Sequence, residues 1–227
     1  YEARATVMVN NVEQPVGSLS EYLNNATSRN MIINIMRSPE VIEKTIEDLD
    51  LILSVRSFQN ALNVEGVENN DSLIQISFKG TDREEITNII ESLIDNTIEN
   101  IDDNINTYIE SHESLYLQKM EEEQQQLEEY LQEYNELEDA VGLPLLILFQ
   151  QNSSGPQYIL EATETLLQEL RGLDKSTQVQ YEEINRLISR SHGKYQQYYD
   201  YYNDAVTAKS LNVTNNRIMT ISQPFAD

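Results

Sequence analysis

Four stretches of this sequence carry residue types that can do chemistry. Lys79-Gly80-Thr81-Asp82 stands between an alternating apolar run and a helical one, the order in which a strand, a glycine and a helix start make a phosphate cradle. The further glycines and the Lys-Ser/Thr pair of a phosphate loop are missing there. Thr81 or Asp82 as a helix N-cap, with Glu84 and Glu85 favouring the dipole of the first turn, accounts for the same residues without a ligand. His112 and His192 are the 2 histidines of the chain, and they fall on different long segments with no Cys or second His at ligand spacing, so no zinc site is expected. His112 is in phase with Tyr108 and Leu115 and reads as a packed histidine on a helix face.

The run "EEEQQQLEEY", Glu121 to Tyr130, reads as a solvated helix face, because a calcium site needs the oxygen cage of a loop. In "KYQQYYDYY", Lys194 to Tyr202, helical spacing puts Tyr195, Tyr198 and Tyr202 on one packing face. Tyr199 and Tyr201 remain as exposed candidates for contact with polysaccharide or a partner. No Ser-His-Asp order, nucleophile elbow or framed pair of acids is found. The expectation is therefore no catalytic residue, no cofactor and no metal.

Composition narrows the class. With 15 Lys+Arg against 39 Asp+Glu the formal net charge is −24, which repels phosphodiester backbones and argues against nucleic-acid binding. The absence of Cys removes disulfide and thiolate chemistry, and 7 Gly with 5 Pro in 227 residues implies few turns and long helices. The longest apolar run, "LPLLILF" from Leu143 to Phe149, is too short to span a bilayer. Because the sequence starts at Tyr1 and stops at Asp227 inside an alternating pattern, targeting or membrane segments are expected to flank it.

The elements that would position these residues follow from periodicity. "YEARATVMV" alternates as a strand. A short helix capped by Ser18, with Glu21 at capping-box distance, runs toward Asn30, and a second stops before Ser38-Pro39. Pro39 opens a third helix with Val41, Ile42, Ile46, Leu49 and Leu53 along its apolar face. Leu73 to Lys79 alternate as a second strand. From Ile86 to Leu137 apolar residues recur in steps of three and four, which predicts one helix with an apolar stripe for about 55 residues, or roughly 80 Å. Breaks at Gly142-Pro144 and at "NSSGP", Asn152 to Pro156, bound a tip. The helical period then resumes at Ile159, Leu166, Leu170 and Leu173 and continues to Tyr202, with Gly172 and Gly193 as kinks or interruptions. Ile218 and Ile221 lie in a closing strand.

The fold class read from this is α+β: residues 1–82 and 210–227 form a small α/β base, and residues 83–209 form a long projecting antiparallel helical hairpin with its tip near 142–156. Such a hairpin does not hide both faces within one chain, so neighbouring copies are expected as partners, with Leu93, Ile101, Ile105 and Tyr108 as an assembly surface near the base. Leu143 to Phe149 would pack locally at the tip or meet an adjacent subunit.

Four stretches then carry a resemblance: "MRSPEVIEKTIEDL", "LIQISFKGTDREEITNIIESLI", "EDAVGLPLL" and "YILEATETLLQELRGL", with "NRIMTISQPFAD" at the close. They resemble the Wzz-type chain-length determinants, or polysaccharide co-polymerases, over nearly the whole chain. The family's proline-rich approach to its second membrane helix is represented here by Pro224. The resemblance implies a domain on the periplasmic face of the bacterial inner membrane, anchored by two membrane helices outside this sequence, with the α/β base next to the membrane. It also implies a ring-like homo-oligomer that acts on the product of a separate polysaccharide polymerase to set the length of O-antigen, enterobacterial-type or capsular chains, without being an enzyme. An alternative from another class is a periplasmic helical-hairpin adaptor of an efflux or secretion assembly, although the Gly- and Val-rich strands that flank such hairpins are not present. A glycan-cleaving enzyme rests only on carboxylates and exposed tyrosines.

Overall fold

The structure, a computed structural model, describes residues 1–10, 16–141, 147–152, 155–160, 168–169, 171–211, 214 and 217–227. It divides into two compact units, Tyr1–Glu110 with Thr207–Asp227, and Ser111–Val206. The class is α+β, with a four-stranded antiparallel sheet in the first unit and a long antiparallel helix pair in the second. Among the described residues no helix is long and apolar enough to cross a membrane.

The sheet of the first unit is built from β1 (Glu2–Val9), β2 (Leu62–Gly66), β3 (Leu73–Lys79) and β6 (Ile218–Ala226), in the order β2-β3-β1-β6. Alternation decides its faces. Ala3, Ala5, Val7 and Val9 of β1, Ile74, Ile76 and Phe78 of β3 and Val64 of β2 are buried, whereas Arg4 and Gln75 of the other parity are exposed. Pro224 is accommodated because β6 is an edge strand, where a missing N–H costs no ladder bond. The strand β2 and the helix α4 (Val55–Ala61) before it have no counterpart in the sequence reading. Phe58 of α4 packs on Phe78 with ring centres 4.8 Å apart.

Helices α1 (Ser20–Ala26), α2 (Arg29–Met36) and α3 (Pro39–Asp48) follow β1. Ser28, Ser38 and Ser54 cap α2, α3 and α4, each accepting a bond from a backbone N–H three residues on. The expected Ser18 cap is corrected. Ser18 lies in a 3-10 turn, Gly17–Leu19, and the α-helix begins after it without a side-chain cap. Leu53 is also corrected, since α3 ends at Asp48 and Leu53 is exposed beyond it. α3 lies along α5 (Arg83–Val141): Asn96 Nδ2 donates to Thr45 Oγ1 and Asp48 Oδ2 at 3.1 Å each, and Lys44 pairs with Glu99 at 2.8 Å. Ile86, Ile89, Ile90, Leu93 and Ile94 of α5 are buried in this unit.

In the second unit α5 is answered by α6 (Lys175–Ser210). Tyr116 meets Tyr201, Ser191 donates to Glu123 Oε1 at 2.7 Å, and Tyr134 meets Tyr181, so partners descend on one helix as they ascend on the other. Leu127, Tyr134, Tyr181, Ile184 and Ile188 form the buried seam. In this unit Leu127 and Tyr134 of one sequence stripe and Tyr181, Ile184 and Ile188 of the other thus cover each other inside one chain, whereas Leu115 of the first stripe stays 45% exposed. Between the helices, the region read as a tip carries a strand pair, and the reading of Ile159 as helical is corrected. β4 (Ile147–Asn152) pairs antiparallel with β5 (Gly155–Leu160), Ile147 opposite Leu160 and Asn152 opposite Gly155. Gly142, Leu143 to Leu146, Leu166 and Leu170 lie outside the described residues. Gly193 is corrected too, because α6 runs through it, whereas Gly172 does mark an interruption before the Asp174 cap of α6.

Candidate functional site

The Lys79–Asp82 joint is held by its own backbone. Tyr1 N donates to Gly80 O at 3.0 Å and Gly80 N–H returns a bond to Tyr1 O at 3.2 Å. Asp82 Oδ1 accepts from Glu84 and Glu85 N–H, both at 2.9 Å, which makes Asp82 the N-cap of α5. The helix-start donors that would meet a phosphate are thus engaged by a side chain. The glycine is explained by close approach, since a Cβ there would stand 2.4 Å from Ile86 Cγ2.

Of the four residues expected on an assembly surface, Leu93, Ile101 and Ile105 are 0%, 1% and 2% exposed within the single chain. Their apolar area is spent on the chain's own interior and is not available to a second copy. Tyr108 is 38% exposed and stacks on Tyr22 at 3.5 Å with rings 10° from parallel. Tyr22 donates its hydroxyl to Asn104 O at 3.4 Å, and burial first, then Tyr108, pushes that hydroxyl above its usual range.

The tyrosines of α6 sort differently from the sequence reading. Tyr195, Tyr198, Tyr199, Tyr201 and Tyr202 are all half-buried. Tyr201 and Tyr198 both face Tyr116 of α5, at 4.9 and 6.0 Å between ring centres, and Gln197 Nε2 donates to the Tyr201 hydroxyl at 3.0 Å. Tyr201 is therefore a packing residue and not an exposed one. Tyr116 is the hub that sequence reasoning passed over. Its position four residues after His112 and three before Lys119 was the available signal, because these spacings share a helix face. His112 meets the Tyr116 ring edge-on at 4.6 Å, and Lys119 Nζ stands 5.4 and 5.3 Å from the ring centres of Tyr116 and Tyr198. Burial lowers the His112 pKa, opposed by the charge of Asp204. The cluster holds helices together and presents a cation over aromatic faces.

Arg217 is a further residue with no signal in the sequence. It is buried, its Nη1 donates to Asn24 Oδ1 at 2.7 Å and to Thr27 Oγ1 at 3.2 Å, and burial pushes its pKa down. It ties the entry of β6 to α1. Among the described residues no group of three or more His, Asp or Glu is placed to hold a metal ion.

No protein-family model and no curated protein matches the chain. Solved structures do. A mutant of the Shigella flexneri lipopolysaccharide O-antigen chain-length regulator WzzB is 11% identical with a TM-score of 0.43, over 99% of this chain and 96% of that one. A fragment of WzzB, a polysaccharide co-polymerase from Salmonella Typhimurium, is 11% identical with a TM-score of 0.39, over 100% and 96%. A full-length bacterial polysaccharide co-polymerase is 15% identical with a TM-score of 0.29, over 100% of this chain and 75% of that one. Along nearly its whole length the chain is similar to solved members of the group that its sequence stretches resemble, the Wzz-type chain-length regulators.

Proposed function

We propose that this chain is the periplasmic part of a Wzz-type polysaccharide co-polymerase, a non-enzymatic regulator that acts with a separate polymerase and sets the chain length of a surface polysaccharide. In this reading membrane helices flank the sequence, copies assemble into a ring at the periplasmic face of the inner membrane, and the growing O-antigen, enterobacterial-type or capsular chain is the object regulated. The resemblance of the sequence stretches supports it. One structural observation carries it furthest. β1 and β6 are antiparallel neighbours, and Asp227 N–H bonds Glu2 O at 3.2 Å. Any segments preceding Tyr1 and following Asp227 leave the sheet side by side, as two adjacent membrane anchors require.

The test is genetic. In a bacterium that makes a surface polysaccharide with a separate polymerase, deleting the gene should give chains without a preferred length at unchanged total polymer, and restoring it should bring back a modal band on a gel. Loss of all polymer on deletion would point to an enzyme, and an unaltered length distribution would remove the regulator reading.

A further inference from the structure

Ile52 is fully exposed, at 101% of its reference area, and Leu53 beside it is 39% exposed. The backbone delivers them outward on purpose-built geometry. α3 closes with Asp50 N–H bonded to Glu47 O at 3.2 Å and Leu51 N–H bonded to Ile46 O at 3.0 Å, with Asp50 at φ 49°, the paired bonds of a left-handed helix cap. The link Leu51 to Ser54 that follows is uncharged, and Ser54 at once caps α4.

Its place in the unit follows from the pairing of α3 with α5. Lys44 meets Glu99, Asp48 meets Asn96, and Leu49 and Leu51 share a groove with Asp82, Glu84, Glu85 and Asn88. The link thus lies beside the first turn of α5. Just ahead of that turn Gly80 is bonded in both directions to Tyr1, and Asp227 is bonded to Glu2. The link is thus placed, through Asp82 and Gly80, toward the end of the sheet where Tyr1 (64% exposed) and Phe225 (51% exposed) lie.

We propose that Ile52 and Leu53 form an insertion loop that enters the boundary between the headgroups and acyl chains of a lipid bilayer, with Tyr1 and Phe225 beside it at the headgroup level. This rests on the reading that segments flanking the sequence are membrane anchors, because the bilayer is then the first surface this end meets. Branched aliphatic side chains gain by leaving water at that depth, and aromatic rings suit the interface. Asp50, Asp82, Glu84 and Glu85 border the loop, with Arg83, 5.4 Å over the Tyr1 ring, and the exposed Arg56 of α4 as the adjacent cations. Carboxylates in that majority favour the ammonium of a zwitterionic headgroup over an anionic lipid.

These 227 residues contain no cysteine, so Ile52→Cys, in a full-length gene product whose flanking segments are made cysteine-free, takes a single environment-sensitive NBD label. Gln125→Cys, at an exposed position of α5, serves as the reference. In vesicles of phosphatidylethanolamine and phosphatidylcholine, the label at position 52 should emit at shorter wavelength than the reference, lose intensity to doxyl-labelled lipid, and resist aqueous iodide. Adding Leu53→Asp should weaken the doxyl quenching. If the protein floats with the vesicles but iodide reaches position 52 as readily as position 125, the loop does not insert and membrane anchoring stands. Shielding from iodide without doxyl quenching would mean that protein covers the loop, which also overturns the proposal. A protein that does not float with the vesicles removes both this inference and the membrane reading beneath it.

Discussion

An added methyl group has opposite consequences at two glycines. At Gly80 it would stand 2.4 Å from Ile86 Cγ2, a branched side chain that is itself buried and that a helix confines to one main rotamer. Gly80→Ala is expected to cost about 1–3 kcal/mol, the range for overpacking. At Gly193 nothing lies within 4 Å of the added carbon, and the residue sits inside α6. Gly193→Ala should stabilise by roughly 0.5–1 kcal/mol, because the unfolded chain loses freedom and the helix gains propensity. Urea unfolding of the two variants tests this, and equal signs would refute the placement of one of them. His112 supplies a pH dependence. Burial holds its folded pKa below the ordinary value of 6.5, so the unfolded chain takes up the proton first and stability falls as pH drops from about 6.5 toward the lowered folded pKa. The carboxylates held low by their partners, Glu2, Asp174 and Glu183, lose their contribution only below their ordinary values of 4.5, 3.8 and 4.5, a separate window. Melting at pH 7.5 and about 5.5 should therefore show a smaller drop for His112→Gln than for the parent chain.

At the level of elements, the seam between α5 and α6 makes the next prediction. Ile188→Ala empties a fully buried site and should cost about 2–5 kcal/mol in the transition of the helical unit, whereas Val179→Ala, at a 55% exposed position, should change it by less than about 0.5 kcal/mol. Similar losses from both would mean the helices pair in another register. The long elements were legible because their signals are long: steps of three and four marked α5 from Ile86 to Leu137, and clean alternation marked β1 and β3. β2 escaped because five residues with two apolar side chains, Leu62 and Val64, make no pattern above noise. β4 and β5 escaped because short apolar runs such as Ile147 to Phe149 read equally as helix or strand, and Ile159 fell in phase with the helix beyond it. Periodicity also names a face without naming what covers it. Leu93, Ile101 and Ile105 do share a buried face, but the chain itself covers them, and the half-buried Tyr201 packs on Tyr116, a partner that no spacing within α6 reveals.

At the scale of the whole molecule charge dominates. With 39 acids against 15 bases, pairing every base would still leave a formal charge of −24, so the folded chain works against its own field and a second copy meets the same field from outside. Salt shortens the reach of that repulsion from about 30 Å at 0.01 M to about 10 Å at 0.1 M. Thermal stability should accordingly rise between these concentrations of sodium chloride. If copies of this chain assemble, the sedimentation coefficient should rise with salt as well, because apolar contacts must hold like-charged surfaces together and screening removes the opposing force. Assembly driven instead by ion pairs between copies would weaken under the same change. Ile105→Asp separates assembly from folding: it places a carboxylate at a site 2% exposed and should unfold the first unit at any salt concentration, whereas Leu117→Asp, at a 43% exposed position, should leave melting nearly unchanged. A fall in sedimentation coefficient for Leu117→Asp at high salt would then locate a contact between copies on α5, and an unchanged coefficient would clear that position.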